Sequence, residues 1–290
     1  MPEPHSGVSY TARASRRASR EKDRAQRAAQ VAARHEQLAV RASPTLRGLH
    51  LDMAEMHRAI ERRHLAAAEM NAHHAARLAA WHGTSAEPRF ITAVASALGV
   101  EHVGVSLLLG NREEAVNVGS DGVATAAQEV EFTLGEGPVH DVAEARAAVA
   151  VDETALPSRW PEFASQVAEF GVHAVAAAPL RTATGCLGVL TVFDPPAESA
   201  RSAAMLATVA DALVHSSLLA PDSADPLDLP VLVGANHHAV VHQASGIVAE
   251  QLGCRAEDAL VVLRARAFAM DEPLAAIAAE VVHRGLRLDR

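Results

Sequence analysis

The stretch HQASGIVAEQLGCRAEDALVVLRARAFAMDEPLAAIAAEVV, residues 242–282, decides the fold of the carboxy-terminal end. Its apolar residues recur at steps of three and four, which is the period of one face of an α-helix. Glycine commonly ends a helix and proline commonly opens one, so Gly253 and Pro273 divide the stretch into three parts. The pattern predicts three helices: over about 230–252, over 256–269 with Phe268 facing inward, and from Pro273 onward.

The composition of the whole chain favours small, helical cores. The 290 residues are 49% hydrophobic but only 3% aromatic, so alanine, valine and leucine must fill the interior. This length is typical of about two domains. The two cysteines, Cys186 and Cys254, lie far apart and follow no secretory signal, which argues against disulfides or a zinc knuckle. We therefore expect a cytoplasmic protein, and the short apolar runs predict no membrane span.

Positive charge is concentrated at the amino-terminal end. Residues 1–85 hold 14 basic and 8 acidic side chains, whereas residues 86–220 hold 6 and 17, and residues 221–290 hold 6 and 10. The opening segment, residues 1–42, is polar and basic and contains few large apolar residues. Such a segment buries too little surface to offset the entropy of ordering, so we predict a disordered tail.

Residues 43–85 have the pattern of one long amphipathic helix. Its stripe consists of Leu46, Leu49, Met53, Met56, Ile60, Ala67, Met70, His74 and Trp81. Pairing with a second copy in a coiled coil would bury this stripe, and so would folding back onto the chain's own domain. We favour the coiled coil.

Histidines recur at two places with regular spacing. His50, His57 and His64 stand seven residues apart, so successive members are separated by about 10.5 Å along a helix, too far to share one metal ion. We predict a solvated stripe. His238 and His242 have a spacing that can ligate zinc, but no third ligand accompanies them, so no metal site is expected.

From residue 86 to residue 219, short strands and helices alternate, and tight turns join neighbouring strands. This order predicts an antiparallel sheet flanked by helices, so the fold class is α+β. Four motifs occur here: LGEGP at 134–138, RWPEFA at 159–164, APL at 178–180 and LGVLTVF at 187–193. As a set they resemble a GAF sensory domain. The resemblance implies a six-stranded antiparallel sheet with a cavity on one face, roofed by the loops around 135–141 and 151–163.

These roof loops supply the candidate sensor pocket. Its residues are Gly135, Glu136, Gly137, Pro138, Arg159 and Trp160. The resemblance implies that a small molecule can bind beneath them, and a structural loop over a closed interior is the alternative. No catalytic residue and no cofactor are expected, because a redox enzyme on this fold would need several cysteines and a phosphodiesterase would need a metal-binding catalytic domain.

Three prolines and three aspartates in residues 220–230 predict a linker. Residues 231–290 follow, and the stretch quoted above resembles an ANTAR domain, the RNA-binding output module of antitermination regulators. The residues that carry this resemblance are Gln243, Ala244, Gly246, Gly253, Glu257 to Ala259, Leu263, Arg264, Leu274, Ala278 and Val281. It implies that a homodimer binds paired RNA stem-loops and so prevents a terminator from forming.

The candidate RNA contacts are polar and basic side chains: Gln243, Ser245, Arg255, Arg264, Arg266 and Arg284. Ser245, Ala265 and Glu272 stand where many relatives have basic residues, which lowers the expected number of phosphate contacts. The chain is thus interpreted as a non-enzymatic, dimeric regulator with a GAF sensor and an ANTAR output. The alternative is a protein-interaction or dimerisation module with little or no RNA binding, and a DNA-binding helix-turn-helix is a third possibility.

Overall fold

The structure, a computed structural model, describes residues 6–82, 87–108, 114–183, 185–196, 203–218, 236–270 and 272–288. These residues form a helical hairpin, a sheet domain over 87–218 and a three-helix unit over 239–288. The predicted linker, residues 220–230, lies outside the described residues. No helix in the described part of the chain is long and apolar enough to cross a membrane.

The hairpin consists of α1 (Ser6–Arg41) and α2 (Pro44–Ala80), which run antiparallel. The prediction of a disordered tail over 1–42 is therefore wrong from residue 6 onward. Alanine explains the error, because it is the best helix former and its small side chain lets two helices approach closely without a large apolar stripe. The alanines of α1 that are buried are Ala14, Ala18, Ala25, Ala28, Ala32 and Ala39.

The stripe of α2 is only partly covered. Ala67 and Met70, in its carboxy-terminal half, are buried in the main core of the sheet domain, with its helices over 90–98 and 203–213. Leu46, Leu49 and Met56, in the other half, stay about half exposed. Within one chain, α2 thus packs on α1 and on its own sheet domain, which is the folded-back arrangement.

The histidines of α2 line the hairpin interface rather than a solvated stripe, so that prediction is also wrong. The Nδ1 atoms of His35 on α1 and His50 on α2 are 3.0 Å apart, and the His57 ring stacks on His35 at 6.0 Å. His64 Nδ1 lies 2.6 Å from a carboxylate oxygen of Glu21, which is buried. The seven-residue repeat is the signature of this contact with α1.

The sheet domain begins with a helix and alternates helices with strands. Its elements are α3 (Phe90–Leu98), β1 (His102–Leu108), β2 (Glu114–Gly119), α4 (Gly122–Leu134), α5 (Pro138–Ala145), β3 (Val149–Val151), α6 (Leu156–Arg159), α7 (Pro161–Val167), β4 (Val175–Arg181), β5 (Cys186–Phe193) and α8 (Ala203–Leu213). A 3₁₀ turn over Ala168–Phe170 follows α7, and a π-helical turn over Val214–Leu218 follows α8.

All neighbouring strands are antiparallel, in the order β3-β4-β5-β1-β2-β6, where β6 is the short strand Asn236–His237. The predicted six-stranded sheet is confirmed, but β6 (Asn236–His237) comes from beyond the predicted linker and pairs with β2. Side chains alternate between the two faces of a strand. One face carries Val103, Val105, Leu190 and Val192 and packs against α2, α3 and α8.

The three-helix unit consists of α9 (Ala239–Leu252), α10 (Ala256–Met270) and α11 (Leu274–Arg284). Three helices are confirmed, and Gly253 ends α9 in the left-handed region at φ 62°. The first helix begins at Ala239 rather than near 230, because Asn236 and His237 instead extend the sheet. Phe268 does not face inward but is 73% exposed, whereas Leu263 and Ile277 are buried.

Candidate sensor site and nucleic-acid interface

A layer of polar side chains lies between the second face of the sheet and helices α4 and α5. We call it the polar layer; its members are Ser106, Glu114, Asn117, Thr191, Gln128, Glu131 and His140. All except His140 are buried. Gln128 Nε2 donates to Ser106 Oγ at 3.2 Å, and the Val139 amide donates to Glu131 Oε1 at 2.5 Å. His140 Nε2 lies 3.8 Å from Glu114 Oε1.

The buried acceptors of the polar layer exceed the donors around them. Among the residues that the structure describes, none has good hydrogen-bond geometry to Glu114 Oε1 and Oε2, Asn117 Oδ1, Gln128 Oε1, Glu131 Oε2, Thr191 Oγ1 or His140 Nε2. Asn117 and Ser106 nevertheless lie close enough to Glu114 to lower its pKa. A buried polar atom costs free energy unless protein, water or a ligand satisfies it. Asn117 Oδ1 and Gln128 Oε1 only accept hydrogen bonds, and so do both carboxylate oxygens of Glu114 when it is ionised, so a bound group with hydrogen-bond donors would satisfy them.

The protonation of the layer follows from its burial. Burial raises the pKa of Glu114 to about 7, although Asn117, the positive charge of Arg264 and Ser106 act in the opposite direction. Burial, and then the neighbouring charge of Glu114, hold the pKa of Glu131 well above its ordinary value. Burial and the charge of Arg264 lower the pKa of His140 to about 4, so this imidazole is neutral at pH 7.

The predicted pocket residues lie around this layer rather than within it. Gly135 and Gly137 have positive φ, and a Cβ atom at Gly137 would lie 2.6 Å from the carboxyl carbon of Glu131. Pro138 opens α5. Glu136 Oε1 accepts from the amides of Glu162 and Phe163 at 3.0 and 3.2 Å and so caps α7.

Arg159 and Trp160 close the same roof from the other side. Arg159 donates twice to Asp141 Oδ2, at 2.9 and 3.0 Å, and its guanidinium lies 5.1 Å from the Trp160 ring centroid. Trp160 is buried against Phe163. The sequence prediction named these loop residues but missed the buried polar atoms next to them. A signal was present, because Ser106, Asn117 and Thr191 interrupt otherwise apolar strands.

No group of three or more His, Cys, Asp or Glu side chains in the described ranges is arranged to hold a metal ion. His238 and His242 instead contact the sheet domain. The His238 ring stacks on Phe132 of α4 with 3.5 Å between centroids, and His242 Nε2 lies 2.7 Å from the carbonyl oxygen of Glu114. Asn117 Nδ2 lies 3.1 Å from His238 Nε2. These contacts join the first helix of the three-helix unit to the edge of the polar layer.

The predicted RNA contacts differ in their exposure. Gln243, Arg255, Arg266 and Arg284 are exposed. Arg255 pairs with Glu257, and Arg284 pairs with Glu280 at 3.0 Å. Ser245 is buried and donates to the His242 carbonyl at 2.9 Å, so its prediction as a surface contact is wrong. It lies on the inner face of α9, beside Ala244 and Val248.

Arg264 is half-buried and reaches into the sheet domain. Its Nε donates to the carbonyl oxygen of Phe132 at 2.9 Å, and its guanidinium lies 5.5 Å from the Phe132 ring centroid. Arg266 lies two residues further along α10, about 200° around the helix axis, and is exposed. Phe268 and Val261, which flank Arg264 along α10, are 73% and 61% exposed. The sequence alone does not identify Phe268 as an exposed aromatic ring, because helical periodicity does not show which side of α10 is buried.

Comparison with protein families agrees with this architecture. A GAF domain model matches residues 88–215, and an ANTAR domain model matches residues 235–282. The chain is a GAF–ANTAR protein. A search of curated proteins and a search of solved structures returned no match. The GAF domain corresponds to the sheet domain with its polar layer, and the ANTAR domain contains β6 and the three-helix unit. Such a chain is a signal-sensing regulator with an RNA-binding output domain.

Proposed function

We propose that this GAF–ANTAR protein is a cytoplasmic, non-enzymatic antitermination regulator. Its ANTAR domain binds stem-loops in nascent messenger RNA, and its GAF domain controls that binding. The observation that carries the proposal is the exposed ring of Phe268 one helical turn from Arg264 on α10. Proteins recognise unstacked RNA loop bases by stacking aromatic rings on them and by contacting phosphates with arginine. Phe268 and Arg264 supply these two groups on one side of one helix.

Electrostatics favour selective rather than general RNA binding. Residues 221–290 carry more acidic than basic side chains, and non-specific nucleic-acid affinity is mainly electrostatic. Additional positive charge is available on α1, where Arg13, Arg16, Arg17 and Arg20 line one cleft of about 310 Å³. The contribution of this charge to RNA affinity is best measured by changing the exposed Arg16 and Arg20 to Gln. Deleting α1 would instead remove the helix that packs on α2.

A homodimer is part of the proposal, and the half of the hairpin remote from the sheet domain is its proposed interface. Val31 and Leu38 are exposed on one side of α1, and the exposed Leu46, Leu49 and Met56 lie within about 80° of one another around α2. Exposed apolar side chains gathered on one side of a helix are typical of an interaction site. A second copy of the hairpin would cover it with matching apolar surface, and two ANTAR domains would then be available for two stem-loops.

The polar layer is the proposed input site of the sensor. Its surplus of acceptor oxygens favours a small ligand with N–H donors, such as a primary amine or an amidine. The assignment is tested by screening primary amines and amidines for thermal stabilisation of two proteins, the wild type and the Glu114→Gln variant. Compounds that stabilise only the wild type support the assignment, and compounds that stabilise both proteins equally contradict it.

The function is tested by binding of the full chain to an RNA with two stem-loops at two salt concentrations. We expect Phe268→Ala to weaken binding by about 1–3 kcal/mol, the usual contribution of one stacked base. Arg264→Ala should weaken binding and reduce the slope of log affinity against log salt by about 0.7, as expected for one lost single-strand phosphate contact. The matched control is Arg181→Gln, which removes an exposed arginine at the end of β4. A stable dimer that binds no RNA at low salt would instead support the interaction-module alternative.

A further inference from the structure

The guanidinium of Arg264 is held by the GAF domain at the end of helix α4. Besides the hydrogen bond to the Phe132 carbonyl, Arg264 Nη1 lies against Gly135: a Cβ atom built on Gly135 would be 2.7 Å from it. Gly135 ends α4 in the left-handed region at φ 68°. The residue at the tip of the LGEGP loop thus leaves the space that the arginine occupies.

The positive charge of Arg264 interacts favourably with the carboxy-terminal end of α4 and with the carboxyl group of Glu114. The last carbonyls of a helix carry partial negative charge, and Phe132 is three residues from the end of α4. The same guanidinium lowers the pKa of Glu114 and of His140, so its positive charge acts on the polar layer. Arg264 is therefore a shared group between the output helix and the sensor.

The surrounding contacts hold this geometry in place. Phe132 packs within the core of the three-helix unit, and the His238 ring stacks on it. His242 contacts the Glu114 carbonyl on the neighbouring strand. These contacts fix the Phe132 carbonyl and the loop at Gly135 beside Arg264, so loosening of the seam between α4 and α9, or movement of residues 132–137, would separate the guanidinium from its acceptor.

We propose that this contact is an autoinhibitory latch: with Arg264 bound to the end of α4, the ANTAR domain cannot use it for RNA. Movement of the LGEGP loop releases the guanidinium and completes the RNA-binding side of α10 together with Phe268. This inference rests on the proposed RNA-binding function and adds its regulation. The sensor and the RNA then compete for one side chain, so each weakens the binding of the other.

Gly135→Ala is the direct test, because the three atoms nearest to the added methyl group all belong to the guanidinium of Arg264. Gly99→Ala is the matched control: Gly99 also ends a helix, at φ 67° against φ 68° for Gly135, and a Cβ atom there would meet nothing within 4 Å. Both substitutions thus introduce the same backbone strain. Only the first displaces Arg264.

Two measurements on the full chain separate the outcomes. Hydrogen exchange of the amides in residues 132–140 and in α10 reports release of the seam, and a titration with a two-stem-loop RNA reports affinity. We expect Gly135→Ala to accelerate exchange and to tighten RNA binding by about tenfold, which corresponds to a wild type that is binding-competent about one-tenth of the time. Gly99→Ala should change neither, and adding Arg264→Ala to Gly135→Ala should abolish the gain.

If Gly135→Ala binds RNA with the same affinity as the wild type, the latch proposal is wrong, whether or not hydrogen exchange accelerates. The proposed RNA-binding function is not affected by that result. If neither the wild type nor a Gly135→Ala protein with accelerated exchange binds RNA at low salt, the proposed function fails, and the latch fails with it.

Discussion

Replacing Glu114 with Gln should stabilise the protein at neutral and alkaline pH. Glu114 is buried, and burial raises its pKa to about 7. A carboxyl group with a higher pKa in the folded than in the unfolded state makes the folded state bind more protons between the two values. The free energy of unfolding therefore falls as pH rises from about 4.5 to about 7, and the loss is complete above that. Gln carries no titrating proton and avoids this loss.

The expected size follows from the two pKa values. The pKa of Glu114 is about 7 in the folded state, against 4.5 as its ordinary value in the unfolded state. The free energy of unfolding of the variant should therefore exceed that of the wild type by about 1 kcal/mol at pH 5 and about 3 kcal/mol at pH 8. The free energy of unfolding is measured by urea titration, with tryptophan fluorescence as the signal. The titration uses a Trp81→Phe background, in which the buried Trp160 is the single fluorescent probe. The control is Glu169→Gln, which removes one exposed carboxylate from the same domain.

A difference between Glu114→Gln and wild type that stays constant from pH 5 to pH 8 would refute this reasoning. A second arm checks the role of Arg264, whose positive charge lowers the pKa of Glu114. In Arg264→Ala the loss of stability with rising pH should extend to higher pH, because Glu114 then keeps its proton longer.

Two further predictions concern the hairpin. Ala32 is fully buried on α1, so Ala32→Leu should overpack the contact with α2 and cost about 1–3 kcal/mol, measured by thermal unfolding, whereas Gln37→Leu at an exposed site should cost less than about 0.5 kcal/mol. Leu49→Glu with Met56→Glu should turn a dimer into a monomer in sedimentation velocity without unfolding the chain; a dimer that survives both changes would place the interface elsewhere.

Elements with a strong local pattern could be predicted from the sequence. The apolar repeat and the breaks at Gly253 and Pro273 define α9 to α11 because helix period and helix ends are local properties. The alternation of short strands and turns likewise predicted an antiparallel sheet. Such features need no knowledge of what lies against them.

Features that depend on a neighbouring element could not be predicted in the same way. Helix α1 has a contact face of alanines, which resembles a polar tail until α2 is placed against it. The sequence predicts Ser245 at the surface and Phe268 in the core, but Ser245 is buried and Phe268 is exposed. The packing of α9, α10 and α11 on one another decides which side of each helix is covered. The polar layer was missed since single polar residues in strands usually face solvent, whereas here α4 and α5 cover them.

The sixth strand determines how the two domains are connected. Asn236 and His237 pair with Asn117 and Val116 of β2, and α9 begins two residues later. The output helix therefore takes its direction from the sensor's sheet edge and not from the length of the chain between the domains. Insertions of flexible residues between 219 and 235 should consequently be tolerated with little change in RNA affinity, while a proline at 236, which would remove a backbone donor at that edge, should uncouple the two domains.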